Sequence, residues 1–191
     1  MAYKTYITEA LVCGASDANT ADRSFLLFTR DAGMLYASAK SVRKEESKHR
    51  YALQECSHAK VTLVRGKSGW KVTGAEPIQN FYSRTETREV RSFLRSTILL
   101  LRRVMHGETP HPEVFDDVIS ACEKAHDYPH TRLESILALR MLSTLGYIAP
   151  LREYNQFLKG TFPYELVGTL DAKKEAECRT AIDRALLESQ L

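Results

Sequence analysis

The sequence predicts an α+β chain in which a small five-stranded barrel, residues 1–80, precedes an all-α domain, residues 81–191. Three observations carry that expectation. Apolar residues recur with a period of two up to about Gln79, glycine-bearing turns separate the short runs, and after Pro77 the period changes to 3.6. The boundary is expected at about 77–84.

Tyr6 to Val12 is the first strand-like run, followed by Phe25 to Thr29 and Met34 to Ala39. The last two are joined by Arg30-Asp31-Ala32-Gly33, a connection that suits a hairpin with Gly33 at positive φ. Ala59, Val61 and Leu63 alternate with Lys60 and Thr62, which gives a strand with one buried and one wet face. Gly66-Lys67-Ser68-Gly69 then turns the chain into Trp70-Lys71-Val72-Thr73, a fifth strand. Gly66-Lys67-Ser68 carries part of a phosphate-loop pattern, yet the glycine needed five residues earlier is Val61 and a strand, not a helix, follows. Five short strands with one long polar insertion, residues 40–57, fit a closed barrel of the OB-fold type.

Val90, Phe93, Leu94, Thr97, Ile98, Leu101, Val104 and Met105 form one stripe on a helix over about 85–106. Gly107 to Pro110 breaks it. Pro112 suits the first turn of a second helix whose inward face is Val114, Phe115, Val118, Ile119 and Cys122. Thr131-x-x-Glu134 has the form of a capping box opening a third helix, with Gly146 as its C-cap. Apolar nearly all round, that helix is expected at the centre of a bundle. Residues 150–170 read as irregular, and Asp171 as the cap of a last helix ending near Ser189.

Composition narrows the function. No run approaches the roughly 18 apolar residues of a membrane span, and the N-terminus has no apolar signal core, so a cytoplasmic protein is expected. Cys13, Cys56, Cys122 and Cys178 lie far apart, a poor set for disulfides or zinc. Residues 1–80 hold 12 Lys+Arg against 8 Asp+Glu, and the remainder holds 15 against 16, so affinity for a polyanion should centre on the first half. No Ser/His/Asp, Cys/His or paired-carboxylate arrangement argues for catalysis, and no cofactor is expected. Pro110, Pro112 and Pro129 interrupt the spacing that would align His106, His111 and Glu113, or His126 and His130, on a metal.

The densest cationic cluster is Lys40, Arg43, Lys44, Lys48 and Arg50, in a polar segment between two strands. A loop of this kind can track a phosphate backbone. Glu45 and Glu46 lower its charge, and a solvated loop is the plain alternative. Lys60, Lys67 and Lys71 on the neighbouring hairpin could extend the patch. Tyr36 and Tyr51 are open as stacking or core residues, whereas Trp70 shares the inward face of Val72 and reads as core. Arg88, Arg91, Arg95 and Arg102 fall on one face of the first helix, where a second nucleic-acid surface competes with the more ordinary solvated face.

The motifs Asp22-Arg23, Phe28-Thr29, Gly33, Ala39-Lys40 and Arg43-Lys44, with Ala52-Leu53-Gln54 and Val64-Arg65-Gly66, resemble the N-terminal domain of the RecO recombination mediators across roughly residues 5–76. Leu145-Gly146 followed by Pro150 is similar to the end of that family's central helix. The four-cysteine zinc module of many members has no counterpart in Leu151 to Pro163, and the chain is shorter than most members. The resemblance implies an OB-fold followed by an α-helical domain, binding of single- and double-stranded DNA, and annealing of complementary strands. It implies as partners RecR, single-stranded-DNA-binding protein and the RecA recombinase, and no bond-making chemistry. It maps the DNA-binding region onto Lys40, Arg43 and Lys44, with Lys48 and Arg50 in the same loop. Arg23 and Arg30 match motif positions that an ion pair with Asp22 or Asp31 would explain equally well. Two other readings stay open: an adaptor that docks repair proteins and touches DNA weakly, and an RNA-binding OB protein.

Overall fold

The computed structural model describes residues 4–17, 22–40, 42, 49–85, 87–149 and 154–189. Five strands come first: β1 (Thr5–Asp17), β2 (Arg23–Thr29), β3 (Gly33–Ala39), β4 (Ser57–Gly66) and β5 (Gly69–Asn80). They close in the order β1-β2-β3-β5-β4, which is the OB-fold. Closure removes the free edges that a five-stranded sheet would expose. β1 makes it possible by serving two neighbours. Its first half pairs with β4 and its second with β2, and the register shifts between Val12 and Gly14 where it bends from one to the other. The alternation seen in the sequence sends Ala10, Val12, Phe25, Leu27, Leu35, Ala37, Val61, Leu63, Trp70 and Val72 into one core.

The β2–β3 hairpin turns as expected, with Gly33 at φ +67°. Space as well as dihedral requires glycine there. A Cβ would come within 2.4 Å of the Thr109 carbonyl oxygen and 2.8 Å of that of Gly107. Met34 N–H donates to Gly107 O at 3.0 Å. The segment Met105–Phe115 thus belongs to the same compact unit as the barrel. Phe115 reinforces it, with its ring 5.4 Å from Phe28.

The second compact unit contains α1 (Arg88–Val104), most of α2 (Pro112–Glu123), α3 (His130–Thr144), α4 (Asn155–Leu158), α5 (Tyr164–Thr169) and α6 (Ala172–Glu188). The stripe read on α1 is buried from Val90 to Val104, and α3 is buried on every side from Ile136 to Leu142. Each fully buried Leu or Ile side chain there contributes roughly 1.5–3 kcal/mol. α3 ends in a Schellman motif: Gly146 at φ +83° donates to Ser143 O at 3.1 Å, and Tyr147 N–H to Leu142 O at 2.8 Å. Asp171 caps α6, its Oδ1 accepting from Lys174 N–H at 2.7 Å.

Two expectations need correction. Thr131 does not cap α3: the helix starts at His130 with Pro129 as N-cap, and the N–H groups of Arg132 and Leu133 donate to Pro129 O at 3.1 and 3.0 Å. Thr131 is already helical, so its hydroxyl cannot fold back as a capping box requires. Residues 150–170 are not uniformly irregular, since α4 and α5 lie within them. Each is too short to show a period.

Candidate nucleic-acid interface

The polar insertion between β3 and β4 supplies most of the candidate cations. Its described part is not a free loop. Val42 (4% exposed), Ala52 and Leu53 (3%) enter the barrel core, and Cys56 is buried beside them. Backbone bonds fix the later half: Leu53 N–H donates to His49 O and Cys56 N–H to Val12 O, both at 3.0 Å. His49 Nδ1 accepts from Ala75 N–H at 3.2 Å. Cys56 holds φ at 64°, a left-handed conformation that a side chain normally avoids; its N–H donates to Val12 O and its carbonyl accepts from Phe81 N–H at 3.1 Å, which fixes the backbone there. Burial, with the neighbouring Glu55 carboxylate adding, pushes its thiol up to about 11.

Anchored this way, the segment presents Arg50 and Tyr51 outward, Tyr51 being 69% exposed. Lys40 is exposed one residue beyond β3. Arg43, Lys44 and Lys48 lie outside the described residues. Arg50 shares a groove of about 550 Å³ with Arg23; Phe25, Val42 and Leu53 form its apolar wall, and Gln54 and Glu55 also line it. Arg23 reaches this position because its residue lies on the inward-facing parity of β2, at the barrel's end. Its Nε donates to Asp17 Oδ1 at 2.8 Å, directly across the β1–β2 ladder. Arg30 faces Asp31 at 3.9 Å, one of the ion pairs expected from the sequence, and Asp31 also accepts from the Thr8 hydroxyl at 2.8 Å. The Arg23–Asp17 pair is 42% and 54% exposed, so it is worth about 0–1 kcal/mol and can yield to a phosphate.

Lys67 and Lys71 belong to the β4–β5 hairpin, where Gly66 pairs with Gly69. Lys71 is half-buried, opposite Val64 on one side and Ser38 on the other. With Ser38 and Tyr36, which is 66% exposed, it occupies the outer face of the short β3–β5 seam. The residues lining the Arg23–Arg50 groove do not include Lys67 or Lys71. Lys60 sits in a row with Glu9 and Glu76 on either side, which neutralises its contribution.

Trp70 is core, as read. Its ring meets Tyr6 edge-on at 5.2 Å, and the guanidinium of Arg65 lies over it at 5.4 Å while also pairing with Glu108 at 3.1 Å. Lys4 in turn lies 5.1 Å over Tyr6. Sequence reasoning missed this run of alternating cations and rings. The signal available was that Lys4 and Tyr6 continue the inward parity of β1 past its apolar residues. It also missed buried His58, whose Nε2 lies 2.8 Å from Glu9. Among the described residues no three His, Cys, Asp or Glu side chains gather as a metal site, and no helix is long and apolar enough to cross a membrane.

Residues 1–81 match the family model for "Recombination protein O N terminal". The chain is 30% identical over 144 residues to a DNA repair protein RecO of Heliobacterium modesticaldum, covering 75% of this chain and 52% of the relative. One from Dehalococcoides mccartyi is 29% identical over 147 residues, covering 76% and 58%. A third, from Desulforudis audaxviator, is 37% identical over 78 residues, covering 41% and 31%. The chain spans about half the length of the curated relatives it matches at greatest extent. These matches run through the barrel and on into the helices, and with the OB topology they place residues 1–81 in the family of RecO N-terminal domains.

Proposed function

We propose that this chain is a non-catalytic mediator of recombinational DNA repair in the cytoplasm. It binds single- and double-stranded DNA through the barrel and anneals complementary strands. With RecR, it helps load RecA onto DNA coated by single-stranded-DNA-binding protein. The observation that carries the reading is the groove that Arg23 and Arg50 both line. Annealing needs affinity that depends on phosphate charge and little on base identity, so that two strands can slide into register. Exposed Arg and Lys supply this, and exposed Tyr51 and Tyr36 offer rings for bases at roughly 1–3 kcal/mol each. In this reading Lys40, Arg43, Lys44, Lys48 and Arg50 follow one strand, with Arg23 inside the groove and Lys67 and Lys71 as secondary contacts.

Five phosphate contacts on a single strand give log K a slope of about −3.5 against log salt, at 0.7 per contact. Oligonucleotide binding by wild type and by the Lys40→Ala/Arg43→Ala/Lys44→Ala variant over a salt series tests the assignment. A weaker, flatter series is expected from the variant; equal affinity and equal slope would remove that segment from the interface.

A second reading, a protein-interaction adaptor with weak DNA binding, is favoured by the carboxylates of Asp17 and Glu55 beside the groove's two arginines. Capture of RecR or single-stranded-DNA-binding protein that survives nuclease, with no shift of naked DNA, would select it.

A further inference from the structure

The first helix of the second unit concentrates charge that the rest of that half lacks. α1 carries five arginines, no lysine and one glutamate. Residues 81–191 hold 15 cations and 16 carboxylates, so outside α1 ten cations stand against fifteen carboxylates. At 100° per residue, Arg88, Arg91, Arg95 and Arg102 fall within a strip about 60° wide that runs beside the buried stripe, Arg91 lying about 20° from Ile98. All four are exposed. Glu89 projects about 100° from Arg88, off the strip. Leu99, 52% exposed, and exposed Ser92 lie along its margin.

Fourteen residues separate the first and last of these arginines, a run of about 21 Å at 1.5 Å per residue. An unpaired strand is more extended than the 3.4 Å per phosphate of a duplex, so that length spans fewer than about six of its phosphates. Arginine suits such a surface better than lysine, because its planar and weakly hydrated fork binds phosphate oxygens in pairs. An acidic peptide would want an apolar groove between the cations. Here the margin is a serine and one leucine on a convex helix, which fits a phosphate backbone instead.

We infer that the outward face of α1 is a second strand-holding surface, taking the phosphate backbone of the complementary strand while the barrel holds the first. This rests on the barrel reading above and supplies what annealing needs beyond it. Two polyanions repel, and both must be neutralised on one protein before they pair. The strip fixes no base, so it holds any partner strand.

The test uses the full chain carrying Arg88→Glu, Arg95→Glu and Arg102→Glu together, with the corresponding triple Lys variant as control. Far-ultraviolet circular dichroism confirms that the helices are retained. The Glu variant should bind a first labelled oligonucleotide within about twofold of wild type, yet anneal the complement at least roughly tenfold more slowly. Its salt dependence of second-strand capture should be shallower by about 2.1, three contacts at 0.7 each. The Lys variant should keep most of the rate. Unchanged annealing by the Glu variant overturns the inference, and so does selective loss of binding to a poly-glutamate peptide with annealing intact. If the Lys40/Arg43/Lys44 variant equals wild type while the Glu variant fails, the barrel assignment falls and the α1 surface stands. If wild type neither binds nor anneals DNA, both fall.

Discussion

Arg140 in the helical unit and Arg23 at the barrel mouth each meet a carboxylate through Nε, at 2.7 Å from Asp117 and 2.8 Å from Asp17. Little else about them is alike. The Arg140 and Asp117 side chains are 8% and 12% exposed, against 42% and 54% for Arg23 and Asp17. Arg140 also donates through Nη2 to Asp117 Oδ1 and to Gly160 O, and through Nη1 to Phe157 O at 2.8 Å. One side chain therefore ties α2, α3 and the turn after α4 together. A single short contact says little about whether a cation is structural or available; burial and the use of its other donors decide it.

The largest effect should come from breaking the buried side of this contrast. Arg140→Ala leaves Asp117 charged, largely shielded from water and without its fork, and takes the Arg140 donors from the Phe157 and Gly160 carbonyls. Unfolding in urea should show a loss of about 3–5 kcal/mol. Arg140→Lys should recover only part, because an ammonium cannot satisfy the bidentate carboxylate and both carbonyls at once. A loss below about 1 kcal/mol for Arg140→Ala would mean that the two arginines are energetically alike.

Next in size is the support beneath the exposed side. Leu53 is 3% exposed and anchors the segment that carries Arg50. Leu53→Ala should cost about 2–5 kcal/mol through lost transfer energy and the cavity left behind. DNA binding should fall with it if the groove depends on that anchor. Equal binding at a temperature where the variant is fully folded would show that Arg50 acts from a loose tether.

Cys56 closes the same segment and reports on it through pH. A thiol raised from 9.0 to about 11 in the folded chain is protonated where the unfolded thiol ionises. Its contribution to stability is whole below pH 9 and is lost as pH rises through about 11, by up to roughly 2–3 kcal/mol. Alkylation by iodoacetamide at pH 8 should be slow and should become rapid only on unfolding. Reaction at the rate of a free thiol would show the segment opening in the native state.

These cases also mark how far the sequence was legible. The strands were, because period two leaves a pattern that any half-buried strand must carry, and so were Gly33, Gly146 and Asp171, whose roles are local. The core insertion of Val42, Ala52 and Leu53 was not, since three apolar residues in a polar stretch show no period. Arg140 sat in plain view in Leu139-Arg140-Met141, inside a helix read as apolar all round. That reading already implied a buried charge, but its partners Asp117, Phe157 and Gly160 come from distant stretches of chain. The candidate site was legible as a cluster of cations. That Arg23 and Arg50 line one groove needed the barrel to close.

The smallest effect tests the exposed side directly. Arg23→Ala removes a pair of half-exposed charges, so stability should move by no more than about 1 kcal/mol. Its binding should weaken uniformly across DNA sequences, and the salt slope should flatten by about 0.7, one phosphate contact. Asp17→Asn probes the same pair from the other partner. If the carboxylate competes with phosphate for Arg23, removing its charge should tighten binding, most clearly at low salt where exposed charges are least screened. Weaker binding by Asp17→Asn would make Asp17 the residue that aims Arg23 at the strand. The contrast with Arg140 would then narrow to burial alone, because in both places a carboxylate would be setting the direction of a guanidinium.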